Sequence, residues 1–240
     1  MGKIRPSVES IEEAIRILKE YRSTHEAPVD KMGCESKGPM KLSKKQERVR
    51  ILNSLILSSQ TQDAKTYEAA NNLEELYNWD TKKMSNASTN ELVKAIKMVG
   101  FANRKAIYIK KTALVCTERY NGDVPKTLEE TLELSGVGPK MAYIFLSSAL
   151  GQNIGIGVDT HVFRIADRLG WTLSNKSIKS KTPESTRKEL QTLVPEKEWP
   201  YINKLLVGLG QTICTAKSPR CSECPLAKNH CKYAKNNYKF

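Results

Sequence analysis

The stretch Leu134-Ser135-Gly136-Val137-Gly138-Pro139-Lys140-Met141-Ala142 decides how this chain is read. It lies between a helical pattern starting at Thr127 and an apolar one running to about Leu150, so two helices meet at a glycine turn. Gly136 and Gly138 lack the Cβ atoms that would hold another backbone away, and Pro139 suits the first turn of the second helix. The N–H groups of that turn have no partner within the helix and face the positive end of its dipole outward. A helix-hairpin-helix of this kind is suited to binding a phosphate. A G-x-G turn can also do no more than join two packed helices.

Lys140 raises the chemical stakes of the turn. An amine attacks only when neutral, yet an ordinary lysine, with a pKa near roughly 10.4, is almost wholly protonated at neutral pH. A place in the first turn of a helix and partial burial both disfavour the ammonium, which makes covalent catalysis by Lys140 possible. The plainer role is a cation that touches phosphate. Further on, Gly157-Val158-Asp159-Thr160-His161 opens another helix, with Asp159 at its start. Asp159 reads as an N-cap accepting backbone N–H groups. A carboxylate held there stays ionised and can also stabilise positive charge developing on a sugar or orient a proton transfer.

The remainder reads as helices. Ser10-x-x-Glu13, Ser43-x-x-Gln46, Ser88-x-x-Glu91 and Thr127-x-x-Glu130 spell capping boxes, and Thr182-Pro183 marks a fifth start. One-sided stripes follow, such as Ile11, Ala14, Ile15 and Leu18, or Val49, Leu52, Leu55 and Ile56. No alternating strand pattern competes, and no internal repeat is found. The segment from about Thr24 to Lys41, with Pro28, Gly33, Gly38 and Pro39, reads as a connecting loop. Tyr143, Phe145, Trp171 and Trp199 stand among apolar neighbours and read as core.

The 240 residues suffice for one large or two small domains. A hydrophobic content of 39% argues against wholesale disorder. No run approaches the roughly 18 apolar residues of a membrane-spanning helix, so no membrane partner is expected. Acids at Glu9, Glu12, Glu13, Glu20, Glu26, Asp30 and Glu35 argue against a cleavable presequence. Met1-Gly2 begins like a myristoylation signal, but Pro6 stands where Ser or Thr is required. With 39 basic and 26 acidic side chains the net charge is +13, which favours a polyanionic partner, nucleic acid first.

Four of the six cysteines are clustered as Cys214-x6-Cys221-x2-Cys224-x6-Cys231, a metal-site spacing that implies a reducing compartment. Zinc and iron–sulfur clusters both accept four thiolates. Zinc ribbons pair two C-x2-C knuckles, whereas here one knuckle is flanked by distant cysteines, which tilts the reading toward a [4Fe–4S] cubane. Cys34 and Cys116 have no partner at ligand spacing and read as ordinary thiols.

Together the hairpin, the segment Val158-Asp159-Thr160-His161-Val162-Phe163-Arg164-Ile165-Ala166-Asp167-Arg168-Leu169-Gly170-Trp171 and the cysteine tail resemble the endonuclease III family of DNA repair glycosylases, over about Leu42 to Cys231. The stretches His25 to Asp30 and Leu57 to Asp63 are similar to its eukaryotic branch. The last cysteine spacing is one residue longer than the x5 of the family. The resemblance implies an all-α, two-lobed helix-hairpin-helix DNA glycosylase fold with a C-terminal [4Fe–4S] loop. It implies a six-helix domain over 41–152 and a second domain from 1–40 plus 153–240, the cluster lying within 214–231, and DNA across the cleft between them.

The residues carried over are Lys140 as catalytic nucleophile, Asp159 as catalytic aspartate, and Cys214, Cys221, Cys224 and Cys231 as cluster ligands. Gly136, Val137 and Gly138 would bind DNA, and Gln60 and Phe101 would fill the hole left by a flipped base. Two plainer roles stand beside these: Gln60 as a polar residue closing a helix, and Phe101 packing beyond a helix that ends at Gly100. The implied activity is a bifunctional DNA N-glycosylase/AP lyase of base excision repair. Its partner is double-stranded DNA bearing oxidised pyrimidines or abasic sites, bound by a monomer in the nucleus, with mitochondria as a second candidate location. A glycosylase without lyase activity, a silent DNA-binding module and a zinc-holding adaptor are the alternatives, and Lys140 argues against the first.

Overall fold

In the computed structural model the described residues are 6–172 and 182–239, and among them the regular structure is helical. They form two compact units, one from Met1–Asp30 with Gly155–Phe240 and one from Lys31–Ile154. Each unit has its own buried apolar cluster.

The chain opens with α1 (Val8–Thr24) and the short α2 (Pro28–Met32). The sequence favours Ser10 as the α1 cap, but the helix begins a turn earlier. Ser7 is extended, at φ −69° and ψ 163°, and accepts the Ser10 N–H at 3.2 Å. Ser10 is thereby placed inside the first turn, with its hydroxyl 3.5 Å from His230 Nδ1. The stripe Ile11, Ala14, Ile15 and Leu18 is buried as the 3.6-residue period requires.

The second unit contains α3 (Lys44–Ser58), α4 (Asp63–Tyr77), α5 (Thr81–Asn86), α6 (Thr89–Ala95), α7 (Ala102–Arg119), α8 (Leu128–Leu132) and α9 (Pro139–Leu150). These are seven helices where six are expected, because Ala87 turns extended and the Ser88–Glu91 capping box restarts the chain as α6. The boxes at Ser43 and Thr127 form as read. Helix α3 is buried on more than one side, taking Arg50, Asn53 and Ser54 inside with its leucines.

This unit begins at Lys31 rather than at 41. The reason is a buried ion pair between Arg50 and Glu74 that reaches the preceding loop. Arg50 Nε donates to Ser36 O at 3.0 Å, and Glu74 Oε1 accepts the Met40 N–H at 2.8 Å. Trp79 Nε1 donates to Glu74 Oε2 at 2.8 Å, and Tyr67 Oη donates to Lys37 O at 2.8 Å. Gly38 lies directly over the carboxylate and guanidinium, where a Cβ would collide with both. The expected connecting loop is therefore part helix, at α2, and part fixed strap.

The first unit is completed by α10 (Thr160–Leu169), α11 (Pro183–Leu193), α12 (Trp199–Thr212), α13 (Ala227–His230) and α14 (Lys232–Asn237). Helix α10 buries Val162, Ile165, Ala166 and Leu169 at helical spacing, and α11 starts at Thr182-Pro183 as read, with Thr182 and Ser185 closing a box. Helix α12 carries glycines where neighbours press in: Gly208 faces the Arg22 guanidinium, and Gly210 faces His161 and Arg164. Arg22 pairs with Asp30, and the Val29 N–H donates to Gln211 Oε1 at 3.0 Å, which fastens the N-terminal segment to α12. Phe145 and Trp171 are fully buried, while Tyr143 and Trp199 are only partly so. Trp199 Nε1 donates to Val194 O at 2.9 Å.

Candidate nucleic-acid interface and cluster loop

The hairpin joins α8 to α9 through a tight turn in which the Val137 N–H donates to Leu134 O at 3.2 Å. Gly136 has φ +81°, a left-handed conformation that penalises a Cβ, and a side chain there would also strike the Tyr108 ring. Val137 turns inward, only 8% exposed. Gly138 differs from both: its φ is −106°, and a Cβ there would meet nothing within 4 Å. Nothing inside the protein demands glycine at this position.

Gly138 is the N-cap of α9 and offers no side-chain cap, with Pro139 next and Lys140 second in the helix. Lys140 is half-buried, and within its own unit no hydrogen bond or ion pair engages its amine. The uncapped start is not general. In this unit α3, α5, α6 and α8 are each capped by a Ser, Asp or Thr side chain. The starts of α4, α7 and α9 have no side-chain cap, and they follow Gln60, Phe101 and the hairpin respectively. First-turn N–H groups without an internal partner are left to solvent or to an anion.

Gln60 and Phe101 are both exposed and both left-handed, at φ +50° and +58°. Phe101 is the N-cap residue of α7, 54% exposed, with the Arg104 guanidinium 5.2 Å from its ring centroid. The reading of Phe101 as an apolar plug beyond a helix ending at Gly100 is therefore corrected: the ring points outward from a helix start. The two loops touch. The Gly100 N–H donates to Thr61 Oγ1 at 3.1 Å, and a Cβ on Gly100 would lie 2.8 Å from Gln60 O.

Asp159 is the N-cap of α10 and accepts the Val162 N–H at 2.8 Å, the geometry read from the sequence. It belongs to the first unit and Lys140 to the second. Each is thus placed by the start of its own helix.

Cys214, Cys221, Cys224 and Cys231 line one pocket, otherwise apolar, with Leu169, Leu209, Ile213, Leu226 and Arg168 close by. Arg168 fastens its mouth. Nη1 donates to Cys214 Sγ at 3.2 Å and to Thr215 O at 2.7 Å, and Nη2 donates to Ala216 O at 2.8 Å. Burial pushes the Cys224 thiol up to about 11, with further upward contributions from Cys231, Cys214 and Cys221. Four thiolates in such a place need a cationic centre to offset them. A zinc site draws its sulfurs to about 2.3 Å from one point, whereas a cubane takes one thiolate at each of four irons. Four cysteines lining one pocket supply the four thiolates that a cubane takes, one at each iron. Cys116 lies apart in the other core, its thiol pushed up to about 12 by burial and by Asp123, and Cys34 is half-buried there.

Two residues of this region escape sequence reading. Lys105, 2% exposed, and Tyr108 follow Phe101 at helical spacing, so one face of α7 meets both the Gln60 loop and the hairpin. A lysine at a core-facing position of a stripe that continues through Ala106, Ile109 and Ala113 carries no signal by residue type alone.

Two helical units, an uncapped glycine hairpin with lysine in its helix and a four-cysteine loop define a helix-hairpin-helix protein with a metal-cluster domain. Residues 53–196 match the model of the HhH-GPD superfamily base excision DNA repair proteins, and residues 214–231 match the iron–sulfur binding domain of endonuclease III. An endonuclease III homologue of Encephalitozoon cuniculi is 41% identical over 219 residues, which cover 86% of this chain and 88% of that one. The chloroplastic endonuclease III homologue 1 of Arabidopsis thaliana is 42% identical over 218 residues, 90% of this chain but 57% of its own length. This chain thus spans little more than half the length of that relative. A solved covalent endonuclease III–DNA intermediate, trapped as an estranged-adenine complex, superposes with a TM-score of 0.79 at 26% identity, covering 96% of this chain and 98% of that one.

The chain belongs to the endonuclease III family within the HhH-GPD superfamily of base excision DNA repair proteins. Its cofactor is the [4Fe–4S] cluster of that family.

Proposed function

We propose that this protein is a bifunctional DNA N-glycosylase/AP lyase that removes oxidised pyrimidines from duplex DNA and cuts the strand through a lysine Schiff base. The observation that carries the reading is Lys140, an amine unengaged within its own unit, two residues past Gly138 in the uncapped first turn of α9. A glycosylase that uses only water has no need of an amine here. The trapped covalent complex of the solved relative supports the same chemistry.

The hairpin N–H groups and Gly138, where no Cβ intervenes, take a phosphate of the damaged strand. Gln60 and Phe101 enter the stack and hold the target nucleotide out, since a stacked base is out of reach at its glycosidic carbon. The neutral amine of Lys140 attacks C1′ and the damaged base departs with the bonding electron pair. The sugar opens to a protonated Schiff base, loses a C2′ proton, and expels the 3′ phosphate by β-elimination. Asp159, held at the start of α10, stabilises the cationic charge that develops at the sugar. Cys214, Cys221, Cys224 and Cys231 hold the cluster, whose contribution when bound is structural, ordering a basic loop that includes Lys217, Arg220 and Lys228. We assign the protein to the nucleus and treat it as a monomer, with mitochondria as a second location.

The test is borohydride trapping on a duplex carrying one oxidised thymine. Wild type forms a damage-dependent protein–DNA adduct, and Lys140→Gln forms none. Base release with no adduct from wild type would overturn the lyase assignment, and binding with no release would overturn the enzyme.

A further inference from the structure

Lys105 is the most deeply buried lysine of the interface region, and its ammonium has a hydrogen for each of three oxygens. Nζ donates to Leu57 O at 2.5 Å, to Ser59 O at 2.7 Å and to Thr61 Oγ1 at 2.9 Å. The two carbonyls belong to the end of α3, where carbonyls have no N–H partner within the helix. The third oxygen also receives the Gly100 N–H, one residue before Phe101. The backbone N–H of Lys105 donates to Phe101 O at 3.0 Å, the first bond of α7, which fixes where the lysine stands relative to Phe101. The buried ammonium thus holds the Gln60 loop directly and, through the Thr61 Oγ1 it shares with the Gly100 N–H, reaches the turn that carries Phe101; Gln60 and Phe101 are both left-handed and exposed. Left-handed backbone at non-glycine residues costs about 1–2 kcal/mol each and persists only where surroundings impose it.

We infer that Lys105 is a positioning residue that stitches the Gln60 loop to the Phe101 turn, so that both side chains enter the DNA stack as one preformed wedge. This rests on the proposed roles of Gln60 and Phe101, and it assigns Lys105 no contact with DNA. Burial holds its pKa down to about 8, so at neutral pH the ammonium is intact and all three donors are in use. An isosteric apolar chain would fill the volume, leave Leu57 O without the ammonium donor, and leave Ser59 O and Thr61 Oγ1 with only the Thr61 hydroxyl and the Gly100 N–H respectively. The loops would then move independently, and each would have to be ordered at the moment of base extrusion.

Duplex and single-stranded substrates separate this role from a purely structural one. Single-stranded DNA with an abasic site has no base to extrude, so its incision needs Lys140 but not the wedge. Lys105→Met is expected to slow base release from damaged duplex by about 10-fold to 100-fold while leaving single-strand incision unchanged. Adding Gln60→Ala to Lys105→Met should cost much less than it does in wild type, because the wedge is already lost. Equal losses on both substrates, or no loss on duplex, would overturn the inference.

A readout independent of the chemistry is the fluorescence of 2-aminopurine opposite a stable abasic-site analogue in duplex DNA, which rises as the bases unstack. Wild type should raise it and Lys105→Met should raise it less. An equal rise overturns the stitch, and no rise with wild type overturns the wedge and the stitch together. If wild type raises the signal but forms no borohydride adduct, the lyase reading fails while the stitch is still decided by the variant. Thr61→Val, which removes the shared acceptor and keeps the lysine, decides the question if Lys105→Met does not fold, and is expected to depress the signal in the same direction.

Discussion

Two glycines two residues apart in the hairpin are glycine for different reasons. Gly136 is left-handed and pressed against Tyr108, so Gly136→Ala should destabilise the fold by at least about 2 kcal/mol, from the left-handed cost plus the collision. Gly138 has ordinary extended backbone and open space, so Gly138→Ala should cost less than about 1 kcal/mol, the ordinary penalty of alanine at an N-cap. The same change should nonetheless weaken duplex binding by about tenfold or more, because the methyl intrudes where a phosphate must approach. Denaturant unfolding paired with fluorescence-anisotropy titration measures both. Full-strength binding by Gly138→Ala would sink the phosphate role of the hairpin. The G-x-G spelling revealed the turn but not this division of labour, since neither φ nor the Tyr108 ring is encoded locally.

Among the helices, caps were the legible part. Ser43, Ser88, Thr127, Thr182 and Asp159 act at the positions their neighbours announce, because a cap is a contact over three residues. Ser10 misled because a serine with glutamate three residues on spells a box as well inside a first turn as before it. The strap at Ser36 to Met40 was read as linker because its partners, Arg50 and Glu74, lie a helix or more away. That buried pair should be unforgiving: Glu74→Gln leaves the Arg50 charge without its counterion and is expected to cost about 3–5 kcal/mol in denaturant unfolding. The double change Arg50→Met with Glu74→Met should recover much of the loss. A single-variant cost under about 1 kcal/mol would show that water, not the pair, satisfies these groups.

For the molecule as a whole, two separate cores mean that damage to one unit need not melt the other. The cluster pocket is built into the first unit's core, with Cys221 and Cys231 buried beside Leu226 and Ala234. Oxidative loss of the cluster from the holoprotein should raise amide hydrogen exchange in α10, α12 and α14 while α3 and α7 keep their protection. Uniform deprotection would contradict independent cores, and none at all would remove the cluster from the stability of its unit. The cluster loop was legible from four cysteines. The thiolate-facing Arg168 was not, since a guanidinium in the last turn of an amphipathic helix looks like solvent-facing charge.

The first unit is discontinuous, entered at the N-terminus, left at Asp30 and rejoined at Gly155. On a ribosome the order of emergence then matters. The continuous Lys31–Ile154 segment can close its core as soon as it is extruded, whereas α1 must wait for α10 and α12. At about 5–20 residues per second the delay until Thr212 closes α12 is roughly 9 to 38 seconds, with Ile11, Ala14, Ile15 and Leu18 unburied throughout. The charges along the same helix, Glu9, Glu12, Glu13, Lys19 and Glu20, therefore also keep a nascent segment in solution until its docking partners have been synthesised.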